Sequence, residues 1–215
     1  MSEWFTKDIN FSKYAQAVVD WNGVAYGTGH NKPLDAQWAL VEEEGLVEVP
    51  EAYTAKDKAE FLKEMIDLFV VASYYHHLKH GNIDFSFFWM SYSRELSLAP
   101  LCELMDGLTR EIRDCNIEDT LAFTFAILSK LDADVEGAIE EVLRSNDSKF
   151  VGYSNLDEVA YDSECKRLEE GGRYKGVHWK AISGKVVFKS GEGKILKPLC
   201  SYSPADVSKF IKEEK

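Results

Sequence analysis

AQWALVEEEGLVEVPEAYTAKDKAEFLKEMIDLFVVASYYHHLKH, residues 36–80, is the stretch on which the fold turns. Asp35 stands where an N-cap belongs, so a helix is predicted over 36–49. Pro50 has no N–H to give that helix and should end or kink it. Thr54 is a second candidate cap. A long helix is expected to follow over 56–80, closed by Gly81. In this second helix Phe61, Leu62, Met65, Ile66, Leu68 and Phe69 make more than one side apolar, which suits the interior of a helix bundle.

The same stretch concentrates acids. Glu42, Glu43, Glu44, Glu48 and Glu51 precede Glu64 and Asp67. Glu44, Glu48 and Glu51, at i, i+4 and i+7, share one helical face. Glu64 and Asp67 are i, i+3 neighbours set among apolar residues. A carboxylate in that setting is costly to bury unless it is paired or metal-bound. Val70 and Val71 occupy i+3 and i+4 from Asp67, so no cation is offered in that direction. Two helices presenting carboxylates to each other would hold a hard divalent cation, Mg²⁺ or Mn²⁺. The same residues also fit a solvated acidic face, with Glu64 paired to Lys58 or Lys63.

On the N-terminal side, FSKYAQAVVDWN (11–22) reads as a first helix, and GVAYGTGHNKPLD (23–35) as a loop. That loop lacks the GxxxxGK[ST] of a P-loop. On the C-terminal side, helical patterns run over 95–114 and 117–131, and from 134 through DVEGAIEEVLRSN. NIDFSFFWMSYS (82–93) is open between helix and loop. After residue 150 the texture changes: KGVHWKAISGKVVFKSGEGKILKP (175–198) reads as an irregular or hairpin segment. Ser203-Pro204-Ala205-Asp206 starts a short terminal helix. The expected architecture is all-α, a bundle of four to six helices over 1–150 with 82–133 as a helical insertion. Residues 151–215 are expected as an irregular, basic extension packed on the same domain.

A net charge of −12 argues against wholesale binding to nucleic acid or to an anionic membrane. The charge is uneven: residues 166–199 hold nine Lys/Arg against three acids, a local +6 that leaves −18 for the rest. No apolar run is long enough for a transmembrane helix, and the start MSEWFTKDIN does not resemble a signal peptide. Cys102, Cys115, Cys165 and Cys200 form no CxxC, so neither a zinc cluster nor a disulfide framework is expected. Together these features predict a cytoplasmic protein with reduced thiols.

Glu48-Val-Pro-Glu51, twelve residues, then Glu64-Met-Ile-Asp67 resembles the ExxE…ExxD signature of the all-α nucleoside triphosphate pyrophosphohydrolases. These are the MazG-like proteins, the dimeric dUTPases and phosphoribosyl-ATP pyrophosphohydrolase. The half in EFLKEMIDLFVVA is a close match. The first half departs from the family's EExxE followed by alanine. Matching Glu48 and Ala52 puts Glu44-Gly45 at the glutamate pair, whereas matching Glu42-Glu43 puts Leu46 at the last glutamate. EEVLRSNDSKF (140–150) and GKILKPLCSYSPAD (193–206) are similar to later blocks of a phage-type subgroup, in the same order.

The resemblance implies a MazG-like four-helix-type bundle that converts a (deoxy)nucleoside triphosphate to monophosphate and pyrophosphate with Mg²⁺. It implies Glu44, Glu48, Glu64 and Asp67 as metal ligands, with Glu44 or Glu51 as base and Glu51 alternatively as a further ligand. It implies Asn146 and Lys149 as nucleotide contacts, although Asn146 equally fits a helix C-cap. Separately from the resemblance, the basic segment offers Arg173, Lys175 and Lys197 as candidate phosphate clamps, each of which also fits a solvated surface. Family members are homodimers or homotetramers. The competing expectation is a catalytically silent bundle that binds nucleotide or protein, favoured by the displaced glutamate and by Pro50.

Two further groups invite a role. His76 and His80 have the i, i+4 spacing of a zinc pair, although histidines in a last helical turn also complement the helix dipole. Phe85, Phe87, Phe88, Trp89 and Tyr92 could stack a base, or form core or a subunit contact.

Overall fold

The apolar breadth of residues 58–80 dictates where that helix sits: Leu62, Met65, Ile66, Leu68, Phe69 and Ala72 are completely buried. The computed structural model describes residues 9–27, 32–83, 85, 96, 98–154 and 157–212. They are mostly helical, as expected, with one small sheet. The chain divides into two compact units: Met1–Val19 with Asn31–Val142 and Asp206–Lys215, and Asp20–His30 with Leu143–Ala205.

In the first unit, α1 (Phe11–Tyr26, of which the first turns belong here) precedes α2 (Leu34–Glu43). The chain then makes a π-helical turn, Glu44–Glu48, and continues without a break into α3 (Val49–Ala55). Pro50 is the reason the α-helix cannot simply run on. Its ring would collide with the carbonyl four residues back, and it has no N–H to donate. The helix widens just before it, with the Val49 N–H reaching the Glu44 carbonyl, and Pro50 falls in the first turn of a new α-segment, where proline is tolerated.

Thr54 lies inside α3 and caps nothing. Instead Lys56 takes a left-handed conformation (φ 58°) and Asp57 caps α4 (Lys58–His80), accepting from the N–H groups of Ala59 and Glu60 at 3.0 Å each. Gly81, at φ 71°, ends α4 as expected.

The stretch read as an insertion contributes α5 (Leu101–Arg113) and α6 (Ile117–Lys130). Both belong to the core of this unit: Leu104, Leu108, Ile112, Ile117, Ile127 and Leu128 are fully buried. Phe11 stacks on Phe125 at 4.2 Å and tilts against Phe69 at 5.6 Å. α7 (Val135–Asp147) follows, its final turns lying in the second unit. The chain's last segment returns to the first unit through a bridge between Ala133 and Ile211, and carries a short 3₁₀ turn, Ser208–Phe210.

In the second unit an antiparallel sheet of order β1-β3-β2 joins β1 (Phe150–Gly152), β2 (His178–Ile182) and β3 (Lys185–Lys189), the last two forming the expected hairpin. Val186 and Phe188 pack with Tyr161, Cys165 and Leu168 of α8 (Glu158–Glu170), while Val187 packs the opposite way with Phe150 and Ala25. That alternation is the period-2 rule of a strand.

Candidate functional site

The π-turn and the first half of α4 bring carboxylates together. Glu44 and Glu48, at the two ends of the turn, and Glu64 on α4 each place a carboxylate oxygen within 4.8 Å of the others. Gly45 packs the turn closely: a Cβ there would crowd Cδ1 of Ile112 and lie 3.3 Å from Cδ1 of Leu68. Glu64 is only 4% exposed. One buried oxygen of Glu64 and one of Glu44, Oε2 in each case, have no hydrogen-bond partner. A buried acceptor left in that state costs roughly 1–3 kcal/mol.

The electrostatics follow from the crowding. Burial first, then the charges of Asp67, Glu48 and Glu64, push the Glu44 carboxyl up to about 9, with Lys63 opposing. Burial also raises Glu64, to about 7, against the pull of its bond to Lys63. Lys63 is the internal counter-ion. Its ammonium hydrogen-bonds Glu64, lies 3.2 Å from Asp67 and 3.7 Å from Glu60. Burial disfavours that charge, but the surrounding carboxylates more than compensate and raise the ammonium above its ordinary range. Lys63 precedes Asp67 by one helical turn, so a search only forward of Asp67 misses it. It is the pairing partner that the solvated-face reading anticipated for Glu64.

Of the acids singled out in the sequence, Glu44, Glu48 and Glu64 converge, and Asp67 acts on Glu44 through its charge. Glu51 is exposed on α3 and does not join that trio. The nucleotide-contact candidates lie in the second unit. There Lys149 donates to Asn146 Oδ1 at 2.6 Å and sits 5.5 Å from the Trp21 ring centre. Arg173, Lys175 and Lys197 are exposed, with Arg173 over Tyr174 and Lys197 over Tyr202.

Phe85 is core, 3% exposed and 5.4 Å from Phe125; Phe87, Phe88, Trp89 and Tyr92 lie outside the described residues. The four cysteines are free thiols. Among the described residues no helix is long and apolar enough to cross a membrane. Comparison with protein-family models, with curated proteins and with solved structures finds no match.

Proposed function

We propose that this chain is a Mg²⁺-dependent nucleotide pyrophosphohydrolase of the MazG-like kind, acting on nucleoside triphosphates. The observation that carries the reading is the meeting of Glu44, Glu48 and Glu64 within 4.8 Å, with buried, unpartnered oxygens on two of them. Such a donor set, all hard oxygen, fits Mg²⁺ or Mn²⁺.

The π-turn bears on the imperfect first motif. Counting Glu43-Glu44 as the glutamate pair, the next glutamate of an EExxE pattern falls one residue late, at Glu48. A π-turn closes its hydrogen bond over five residues rather than four, and so absorbs one extra residue. The residue that spoils the sequence match is the residue the widened turn takes up, and Glu48 still reaches the cluster.

Glu44, Glu48, Glu64 and Asp67 would hold the cation. Bound there, the ion would supply charge neutralisation at the phosphate oxygens and an acidified water. The chain's own part is mostly positioning. Lys63 fixes the Glu64 and Asp67 side chains through its ammonium. Gly45 holds the turn close to α5. Burial and the neighbouring acids favour the protonated form of Glu44, and a cation held there would favour its ionised form. A carboxylate not committed to the cation would accept the proton of the attacking water at its oxygen.

The test is incubation of chelator-treated protein with each deoxynucleoside triphosphate and Mg²⁺, reading pyrophosphate. Release with at least one substrate, abolished by Glu48→Gln and by Glu64→Gln, is expected. No pyrophosphate with any of them sinks the reading. A second reading rests on Lys63: because an ammonium already neutralises Glu64 and Asp67, the bundle could bind nucleotide or protein without turning it over. Thermal stabilisation by nucleotide with no pyrophosphate released would select that reading.

A further inference from the structure

The far end of α4 carries a different constellation. His76 and His80, one turn apart, meet Glu118 in the first turn of α6, and one donor atom from each lies within 4.8 Å of the other two. His80 Nε2 is 2.8 Å from Glu118 Oε1, and the two imidazole rings are 4.7 Å apart. Lys79 also approaches Glu118, at 4.0 Å. Glu64 and His76 are twelve residues apart on α4, about 18 Å along its axis, so the two constellations do not overlap.

We propose that His76, His80 and Glu118 form a binding site for one divalent transition-metal ion of the zinc class, clipping the end of α4 to the start of α6.

Four features support it. Two imidazoles and a carboxylate are a donor set that favours zinc over the hard ions suited to an all-carboxylate cluster. His76, 3% exposed, has its Nδ1 3.2 Å from the Asn82 carbonyl. That bond puts a proton on Nδ1 and the lone pair on Nε2, and it fixes the ring. A backbone carbonyl behind a ligating histidine is the usual way such rings are oriented. The helix ends are also arranged for a cation held by an anion: the histidines lie at the negative end of α4, and Glu118 lies at the positive end of α6. His80 and Glu118 are each about one-third exposed, so the metal has an entry path and a fourth position open to water.

Chelator-treated full chain is titrated with Zn²⁺ by calorimetry and with Co²⁺ by visible absorption. One equivalent of Zn²⁺ is expected to bind. Co²⁺ should show the intense bands of a four- or five-coordinate nitrogen–oxygen site, displaced by Zn²⁺ and not by Mg²⁺. His80→Ala and Glu118→Gln change partly exposed side chains, so both should fold. Each should weaken Zn²⁺ by more than the roughly 100-fold seen when an outer-shell partner is lost. Glu48→Gln should leave this binding intact. No Zn²⁺ binding by the wild type, equal binding by wild type and His80→Ala, or loss only in Glu48→Gln would each overturn the proposal. In any of these cases the three side chains are only an ion pair at a helix junction.

Discussion

The two ends of α4 gather titratable side chains on one rigid element, yet with opposite chemistry. Near its start, Glu64 meets Glu44 and Glu48, all oxygen donors, with the charge of Asp67 beside them and the ammonium of Lys63 as the internal counter-charge. Near its end, His76 and His80 meet a single carboxylate, Glu118. The first group crowds carboxyls, and one buried oxygen each of Glu44 and Glu64 lacks a partner. The second sets two imidazoles beside one carboxylate and is already internally bonded, through His80 to Glu118 and His76 to Asn82. A buried cluster is selected for a ligand by its donor atoms and by how far the chain has satisfied it already. On both counts the start of α4 should respond to hard cations far more strongly than its end.

The largest expected effect tests that contrast directly. Glu64→Gln removes a charge at a nearly buried position and should abolish Mg²⁺-dependent pyrophosphate release, a fall of more than roughly a hundredfold. An active Glu64→Gln enzyme would break the comparison, because the start of α4 would then hold no essential ligand.

Next in size is a stability effect with a definite pH signature. The Glu44 carboxyl is held at about 9, far above an unfolded glutamate near 4.3. Between those values the folded chain keeps a proton that the unfolded chain has released. Stability in the presence of chelator is therefore complete below the unfolded value and falls as the pH rises through about 9. Glu64, at about 7, adds to the fall through the lower part of that window. Glu44→Gln should flatten the profile and raise stability at pH 8 by roughly 1–3 kcal/mol, measured by urea unfolding. In the wild type, Mg²⁺ should offset the same decline. A melting temperature that rises toward pH 9 without metal would contradict the burial of these carboxyls.

The close approach of the π-turn to α5 gives a third test. An alanine at Gly45 gains roughly 1 kcal/mol of helix propensity, which offsets part of its clash with Ile112. A valine gains less and adds two methyl groups against Ile112 and Leu68, both fully buried. Gly45→Val should cost about 2 kcal/mol or more and should reduce activity as it displaces Glu44 and Glu48. Full stability in Gly45→Val would mean that the turn is free to move away from α5, and the carboxylates with it.

The course of the α4 region was legible in the sequence to the extent that local rules govern it. Apolar breadth marked residues 56–80 as an interior helix, Gly81 marked its end, and Pro50 marked the trouble before it. The form of that trouble was not legible, because a 3.6-residue period presumes one residue count per turn and a π-turn changes it. Lys63 was legible as a partner for Glu64, but its second role beside Asp67 was missed because it lies one turn behind that residue rather than ahead. Glu118 could not be paired with His80 from spacing, since the contact is made by packing of α4 on α6. α8 was hidden for a different reason: Tyr161, Cys165 and Leu168 have helical spacing, but they sit in a polar helix beside Gly- and Lys-rich sequence.

The smallest effect concerns the end of α4. In chelator, His80→Ala removes the contact of Nε2 with Glu118 Oε1 between partly exposed side chains. A contact of that kind contributes roughly 0.2–1 kcal/mol. The variant should therefore unfold within about 1 kcal/mol of the wild type. With Zn²⁺ present at about a hundred times its Kd the difference should widen, because the wild type alone gains about 2.7 kcal/mol from binding. A deficit that is already large in chelator would mean that His80 is part of the packing that holds α4 to α6. The histidine end would then stabilise the fold by itself, with no metal needed, whereas the crowded carboxyls at the other end oppose folding as they ionise.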